Sequence, residues 1–146
     1  MAKTNELLLR FDPDDPHVTV FVAVLDPHTG RLSYASAGHP APIHIGAFSC
    51  HPLAVTYGPP LGSFERPYTS SHAMLTLEDY LVLYTDGVTE ARRGRELLGE
   101  RRLVEIVDGL RERSAQEVAE GVRDAASDFA DGRLNDDLQV VVLRLA

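Results

Sequence analysis

The chain has 146 residues, 44% of them hydrophobic and 25% charged, which fits one domain with a single core. A formal net charge of −8 argues against a nucleic-acid partner, because a phosphate backbone requires a basic surface. No apolar run approaches the roughly 18 residues of a membrane span, so no membrane partner is predicted. Cys50 is the only cysteine, which excludes an intrachain disulfide and favours the reducing cytoplasm.

The N-terminal third predicts a short helix followed by a β-hairpin. Residues 3–11 are typical of the last turns of a helix, and residues 12–16, with two prolines and three acids, predict a loop. The run 18–25, apolar except for Thr19, predicts a strand buried on both faces or nearly so. A turn at 26–30 and the alternating segment 31–37 then predict an antiparallel partner strand.

The middle of the chain predicts three further strands. Residues 43–45 (Ile-His-Ile) predict a short third strand, and the glycines and prolines of 46–67 predict a loop that crosses between parts of the sheet. Residues 68–77 predict a strand. Residues 80–84 predict a buried strand that ends at the pair Asp86–Gly87, a common place for a catalytic or metal-binding carboxylate and also for an ordinary turn.

The last third predicts two helices at about 95–130 and a closing strand. The first helix has an apolar stripe at helical spacing, formed by Leu103, Ile106, Val107 and Leu110. Residues 114–117 form a capping box that opens the second helix, and residues 138–145 predict the final strand. The pattern therefore predicts one α+β domain over 1–146, with a helix and loop at 1–16 and a sheet core with two helices at 17–146.

Asp86 gains a candidate partner if the strands 80–84 and 138–145 are antiparallel neighbours. Asp86 follows the first of these strands, whereas Asp136 and Asp137 precede the second, so pairing would bring the carboxylates to one sheet edge. Carboxylates held together repel one another unless a cation neutralises them, and hard divalent cations prefer oxygen ligands. Two unrelated acidic turns remain the alternative.

Two other side-chain clusters have an ordinary interpretation and a functional one. His39, His44, Cys50 and His51 are ligand types for zinc, although their spacing matches no common zinc pattern. The stretch 92–95, with Arg92 and Arg93, is a basic patch in an acidic protein. It is interpreted either as a solvated helix face or as a surface that receives a phosphorylated partner.

Four segments, in order, resemble the metal-dependent PPM-type serine/threonine phosphatases. They are LSYASAGHPAPIHI (32–45), LVLYTDGVTEAR (81–92), LLGERRL (97–103) and NDDLQVVVLRL (135–145). Within that family the chain is most similar to the bacterial branch of the sporulation stage II protein E phosphatase and its general-stress relatives. Four motifs in the family's order are a specific signal.

The resemblance implies an antiparallel β-sandwich flanked by helices, with Mn²⁺ or Mg²⁺ ions at one edge. By position, Asp86, Gly87 and Asp136 match the metal-binding residues, Gly87 as the glycine of the Asp-Gly motif, whereas Asp137 supports a ligand. Arg92 and Arg93 are expected to face the substrate. The implied reaction removes phosphate from phosphoserine or phosphothreonine of a regulatory protein, such as an anti-sigma-factor antagonist. A metal-bound water attacks, and no side chain acts as the catalytic group.

The chain departs from the family pattern at its start. It lacks the N-terminal strands, the helix pair and the Gly-Asp motif that supplies a bridging metal ligand, so residues 3–11 match a remnant of that pair. We therefore expect a two-metal centre to be incomplete and the isolated chain to be inactive. Exposed sheet edges and helix faces would then favour a homodimer. The alternative function is a non-catalytic phosphatase-like module for binding or dimerisation.

Overall fold

The computed structural model describes residues 1–10 and 17–146. Within them the elements are, in chain order, α1 (Ala2–Leu8), β1 (Val20–Asp26), β2 (Arg31–Ala37), β3 (Ile43–Ile45), β4 (Cys50–Pro52), β5 (Tyr57–Gly58), β6 (Ser71–Met74), β7 (Tyr80–Tyr84), α2 (Asp86–Thr89), β8 (Arg92–Arg93), β9 (Glu96–Leu97), α3 (Gly99–Asp108), α4 (Ala115–Phe129) and β10 (Val140–Arg144). The predicted α+β class with antiparallel sheets and helices is confirmed. The loop predicted at 12–16 falls on residues outside the described ones.

The chain divides into two compact units. One unit contains Met1–Ala41 and Ala54–Met74, and the other contains Pro42–Leu53 and Leu75–Ala146. The assignment of 1–146 to a single domain stays a prediction. Among the described residues, none of the helices combines the length and the apolar character that a bilayer crossing requires.

The first unit contains a four-stranded sheet in which β2 is central. The predicted hairpin is confirmed, since β1 pairs antiparallel with β2 from Val20 opposite Ala37 to Asp26 opposite Arg31. Strand β6 also pairs antiparallel with β2, whereas β5 adds a short parallel pairing. The predicted burial of β1 on both faces is wrong, because β1 is an edge strand that leaves Val22 47% and Val24 68% exposed.

The second unit contains an antiparallel sheet in the order β10-β7-β3-β4. Its hydrophobic core forms between this sheet and the helices α3 and α4; buried members include Val82, Leu103, Val107, Val118 and Val122. The predicted capping box is confirmed: the Ser114 side chain accepts from the Glu117 amide, and the Glu117 side chain accepts from the Ser114 amide. Burying one face of each helix on this sheet stabilises the unit through the hydrophobic effect.

Three local predictions differ from the structure. The crossing loop 46–67 contains β4 and β5, which pair with β3 and β2. The strand predicted at 68–77 is limited to Ser71–Met74, the residues that have partners on β2. The stretch 92–95 is not a helix face but the hairpin of β8 and β9, which turns at Gly94 with a φ of 65°. Each difference arises from pairing between segments, which local periodicity does not encode.

Candidate metal centre

The strands β7 and β10 bring Asp86 and Asp136 to the same edge of the second unit's sheet. Their predicted antiparallel pairing is confirmed, with Tyr84 opposite Val140 and Tyr80 opposite Arg144. Asp86 comes two residues after β7 ends, and Asp136 precedes β10. The register therefore fixes both carboxylates at one end of the paired strands, as the sequence predicts.

Thr85 connects the segment that carries Asp86 to the segment that carries Asp136 through hydrogen bonds. Its Oγ1 donates to the Asp137 carbonyl at 2.8 Å and accepts from the Gln139 amide at 2.9 Å. The Thr85 amide also donates to the Gln139 carbonyl at 3.1 Å. These three hydrogen bonds continue the β7–β10 pairing past the end of the strands and restrict movement between Asp86 and Asp137.

Gly87 is required here by a close approach of backbones. It lies in the short helix α2 and its φ is not in the left-handed region. A Cβ on Gly87 would lie 2.5 Å from the carbonyl oxygen of Asp137 and 3.4 Å from the carbonyl carbon of Asp136. The absent side chain therefore lets the segment of Asp86 approach the segment of Asp136.

Both carboxylates at this edge are accessible to a cation. Asp86 is exposed, and its carboxylate has no hydrogen-bond partner among the described residues. Asp136 is also exposed, and its Oδ1 accepts from the Asp137 amide at 2.8 Å. That bond orients the Asp136 side chain while leaving further lone pairs available. The predicted supporting residue, Asp137, contacts Asp136 through its backbone amide.

A cleft of about 330 Å³ opens at the same edge, and its lining includes two residues that the sequence interpretation missed. Gly87, Arg92 and Asp136 line it together with Glu90 and Asn135. Glu90 follows Asp86 by one helical turn, the spacing that brings two side chains together on a helix. Asn135 directly precedes Asp136. Both could have been found from their spacing to the two aspartates.

The chemistry of the oxygen donors fits a hard divalent cation. Carboxylates suit Mn²⁺ and Mg²⁺, which keep several waters when few protein ligands are present. Among residues 1–10 and 17–146, no group of three or more His, Cys, Asp or Glu side chains is arranged to hold a metal ion. The described residues therefore offer two aspartates of suitable donor chemistry at this edge and no complete two-metal centre.

The two arginines predicted to face a substrate have different surroundings. Arg92 lines the cleft. Arg93 lies over the ring of Phe129, with its Cζ 4.7 Å from the ring centroid, and forms an ion pair with Glu96 at 3.6 Å. The structure therefore brings Arg92, but not Arg93, together with Asp136 and Gly87.

The residues of the zinc alternative have other contacts. The Nε2 of His44 lies 2.9 Å from Oδ2 of the buried Asp79. The Cys50 thiol donates to the Val104 carbonyl, and burial, followed by the negative charge of Asp108, raises its pKa to about 11. His44 and Cys50 therefore have separate partners, and the described residues contain no group of three or more His, Cys, Asp or Glu side chains arranged for a metal ion.

Comparison with known proteins gives one consistent result. The family model described as stage II sporulation protein E (SpoIIE) matches residues 1–146. The phosphoserine phosphatase RsbU of Bacillus subtilis is 30% identical over 129 residues, which cover 87% of this chain and 38% of RsbU. The chain therefore spans well under half the length of this relative.

Two solved structures share the fold. The PP2C phosphatase domain of SpoIIE from Bacillus subtilis, solved with a fragment of its regulatory domain, has a TM-score of 0.82 and 22% identity, covering 98% of this chain and 42% of that one. The catalytic domain of the serine threonine protein phosphatase PstP, in complex with two manganese ions, has a TM-score of 0.66 and 15% identity over 94% of this chain and 65% of that one.

Proposed function

The chain belongs to the stage II sporulation protein E (SpoIIE) family of PPM-type (PP2C) phosphatases, and from this premise we propose that it is a metal-dependent protein serine/threonine phosphatase. Its substrate is phosphoserine or phosphothreonine on a regulatory protein of the anti-sigma-factor-antagonist type. One observation carries the proposal: the β7–β10 pairing brings Asp86 and Asp136, the two motif aspartates, to one sheet edge beside a cleft.

The proposed metal ligands are the side chains of Asp86 and Asp136. Both are exposed carboxylates at the end of paired strands, and hard cations prefer such oxygens. The manganese ions of the PstP structure support Mn²⁺ as the cation, and Mg²⁺, which also takes oxygen ligands, is the alternative. A cation held there supplies Lewis-acid stabilisation of the charge that develops on the phosphoryl oxygens.

The surrounding residues keep the two carboxylates in place. The Asp137 amide orients Asp136, Thr85 ties the two segments together, and Gly87 permits their close approach. Preorganised ligands of this kind lose little free energy to reorganisation when the ion and the substrate bind. The phosphoserine specificity is supported by the relative RsbU, which is a phosphoserine phosphatase.

The proposal is tested by phosphate release from a phosphoserine peptide with and without Mn²⁺. In the chain preceded by the N-terminal half of a family domain, we expect hydrolysis that requires Mn²⁺ and that falls to the metal-free level in Asp86→Asn and Asp136→Asn, whereas this chain alone is expected to release no phosphate. Asp128→Asn is the matched control, because Asp128 is an exposed aspartate of α4 whose side chain makes no hydrogen bond within the described residues. The peptide is assayed with this chain alone and with the chain preceded by the N-terminal half of a family domain.

The binding-module alternative makes a different prediction for the same samples. It is favoured by the lack, within the described part of the chain, of a third ligand beside Asp86 and Asp136. Mn²⁺ binding without hydrolysis in both forms of the protein would support it and contradict the phosphatase proposal. Homodimer formation and a cytoplasmic location stay predictions from the sequence.

A further inference from the structure

One positive charge in the candidate cleft has no partner among the residues that the structure describes. Arg92 lines the cleft together with Glu90 and Asp136, and it is exposed. Within residues 1–10 and 17–146 its guanidinium makes no ion pair and no hydrogen bond. A guanidinium offers five donors in a fixed plane, so an arginine left unpaired beside two carboxylates is available to an incoming anion.

Arg93, the neighbouring arginine, makes its contacts on the opposite side of the hairpin. Arg93 stacks on Phe129 and pairs with Glu96, the residue directly opposite it on β9. Successive side chains of a strand point to opposite faces, so the packing of Arg93 against α4 directs Arg92 away from that helix. The geometry thus separates two arginines that are adjacent and chemically identical in the sequence.

The hairpin that carries Arg92 is held in place by contacts with Arg102 of α3 and by a backbone hydrogen bond. Arg102 of α3 donates to the Leu97 carbonyl at 3.1 Å, forms an ion pair with Glu96, and lies with its Cζ 5.3 Å from the Phe129 ring centroid. The Leu98 amide also donates to the Ala91 carbonyl at 2.9 Å. These contacts hold the backbone of the hairpin that carries Arg92, so little backbone conformational entropy is lost when Arg92 binds a ligand.

We propose that Arg92 binds the phosphoryl group of the substrate and so determines recognition of phosphorylated over unphosphorylated serine. This inference rests on the proposed function, because it places the substrate in the cleft beside Asp136. Glu90 and Asp136 would repel a phosphate dianion, and Arg92 is the residue of the cleft lining that can offset this repulsion with paired N–H donors. Arg93 has a structural role instead.

A binding assay isolates this role from the chemical step. A fluorescent peptide carrying a non-hydrolysable phosphonate analogue of phosphoserine is titrated with the protein in Mg²⁺, and anisotropy gives the Kd. The loss of a charge-assisted hydrogen-bonded contact predicts that Arg92→Gln weakens binding by about ten- to a hundredfold. Arg92→Lys should retain part of the affinity, since it keeps the charge but loses the planar fork.

The control is Arg95→Gln, which removes the same charge from the same hairpin. Arg95 is exposed and has no partner among the described residues, so its variant should bind the phosphonate peptide as the wild type does. The proposal is overturned if Arg92→Gln binds like the wild type, if Arg95→Gln weakens binding equally, or if the wild type binds the phosphonate peptide no better than the serine peptide.

The same proteins separate this inference from the proposed function. If the wild type binds the phosphonate peptide through Arg92 but releases no phosphate from the phosphoserine peptide with Mn²⁺, either alone or preceded by the N-terminal half of a family domain, the phosphatase proposal fails and the assignment of Arg92 stands. If phosphate is released and the Arg92 variants keep the wild-type Kd for the phosphonate peptide, the assignment of Arg92 fails alone.

Discussion

Replacing Gly87 by alanine tests the close approach of the two metal-site segments. The new Cβ would lie 2.5 Å from the Asp137 carbonyl oxygen, whereas ordinary contact begins at about 3.4 Å. The opposing atom is backbone and is held by the Thr85 hydroxyl at 2.8 Å, so it cannot move away without breaking that hydrogen bond. The separation of the two segments would have to grow by about 0.9 Å.

Two opposing contributions decide whether Gly87→Ala raises or lowers the free energy of unfolding. Gly87 lies in a helix without a left-handed φ, so alanine would by itself stabilise the protein by about 1 kcal/mol. Overpacking costs about 1–3 kcal/mol and the broken hydrogen bond about 1 kcal/mol more. We therefore expect a net loss of about 1–3 kcal/mol in the free energy of unfolding.

Urea unfolding followed by far-UV circular dichroism measures this loss. Gly109→Ala is the matched control, because Gly109 has a φ of −66° and a Cβ there would meet its nearest atoms at 3.4 and 3.6 Å. The control should be neutral or slightly stabilising. An unfolding free energy of Gly87→Ala equal to or above that of the wild type would refute the close approach of Gly87 to Asp137.

Three further predictions concern the second unit outside the cleft. Burial alone would raise the pKa of Asp79, but hydrogen bonds from the Thr76 amide, His44 and the Thr76 hydroxyl outweigh it and lower that pKa below its ordinary 3.8. The stabilisation that the ionised Asp79 carboxylate provides is therefore complete above pH 3.8 and is lost as pH falls through the lower folded-state pKa. Asp79→Asn should destabilise the protein at pH 7, and its urea-unfolding midpoint should fall less than that of the wild type as the pH is lowered into the acid range. Ser114→Ala should cost about 1 kcal/mol in urea unfolding, because the Ser114 hydroxyl that accepts from the Glu117 amide is lost; an unchanged midpoint would show that the cap is dispensable. Cys50 should react with iodoacetamide at pH 7.5 much more slowly than a free thiol, since burial raises its pKa to about 11, and a rate equal to that of a cysteine peptide would contradict this.

Elements encoded by local pattern were predictable from the sequence. The bounds of β3 and β7 match the predictions at 43–45 and 80–84, and α4 begins directly after its capping residue Ser114. In each case the signal lies within a few consecutive residues. A buried apolar run bounded by turn residues, or a Ser-x-x-Glu box, determines the element with little help from distant parts of the chain.

Elements that depend on pairing were not predictable. The apolar run of β1 has the composition of a central strand, but β2 alone among the described segments pairs with it along its length, so Val24 stays exposed. The hairpin of β8 and β9 consists largely of charged residues with low strand propensity, and it forms around a left-handed glycine with support from α3 and α4. Gly94 between Arg93 and Arg95 was the available signal for that turn.

The candidate site was predictable in part for the same reason. That Asp86 and Asp136 share one edge follows from the antiparallel pairing of two strands that periodicity identifies. The different environments of Arg92 and Arg93 follow from the packing of the hairpin on Phe129, which no local pattern contains. The steric reason for Gly87 likewise depends on the position of the Asp137 carbonyl, 50 residues away in the sequence.

Calorimetric titration with Mn²⁺ tests the central claim that Asp86 and Asp136 act together as the metal ligands. Two protein carboxylates hold such an ion weakly because water supplies the remaining ligands. We therefore expect weak binding of one ion per chain, abolished in Asp86→Asn and in Asp136→Asn and retained in Asp128→Asn. Tight binding of two ions, or binding that survives in either of the first two variants, would contradict the claim.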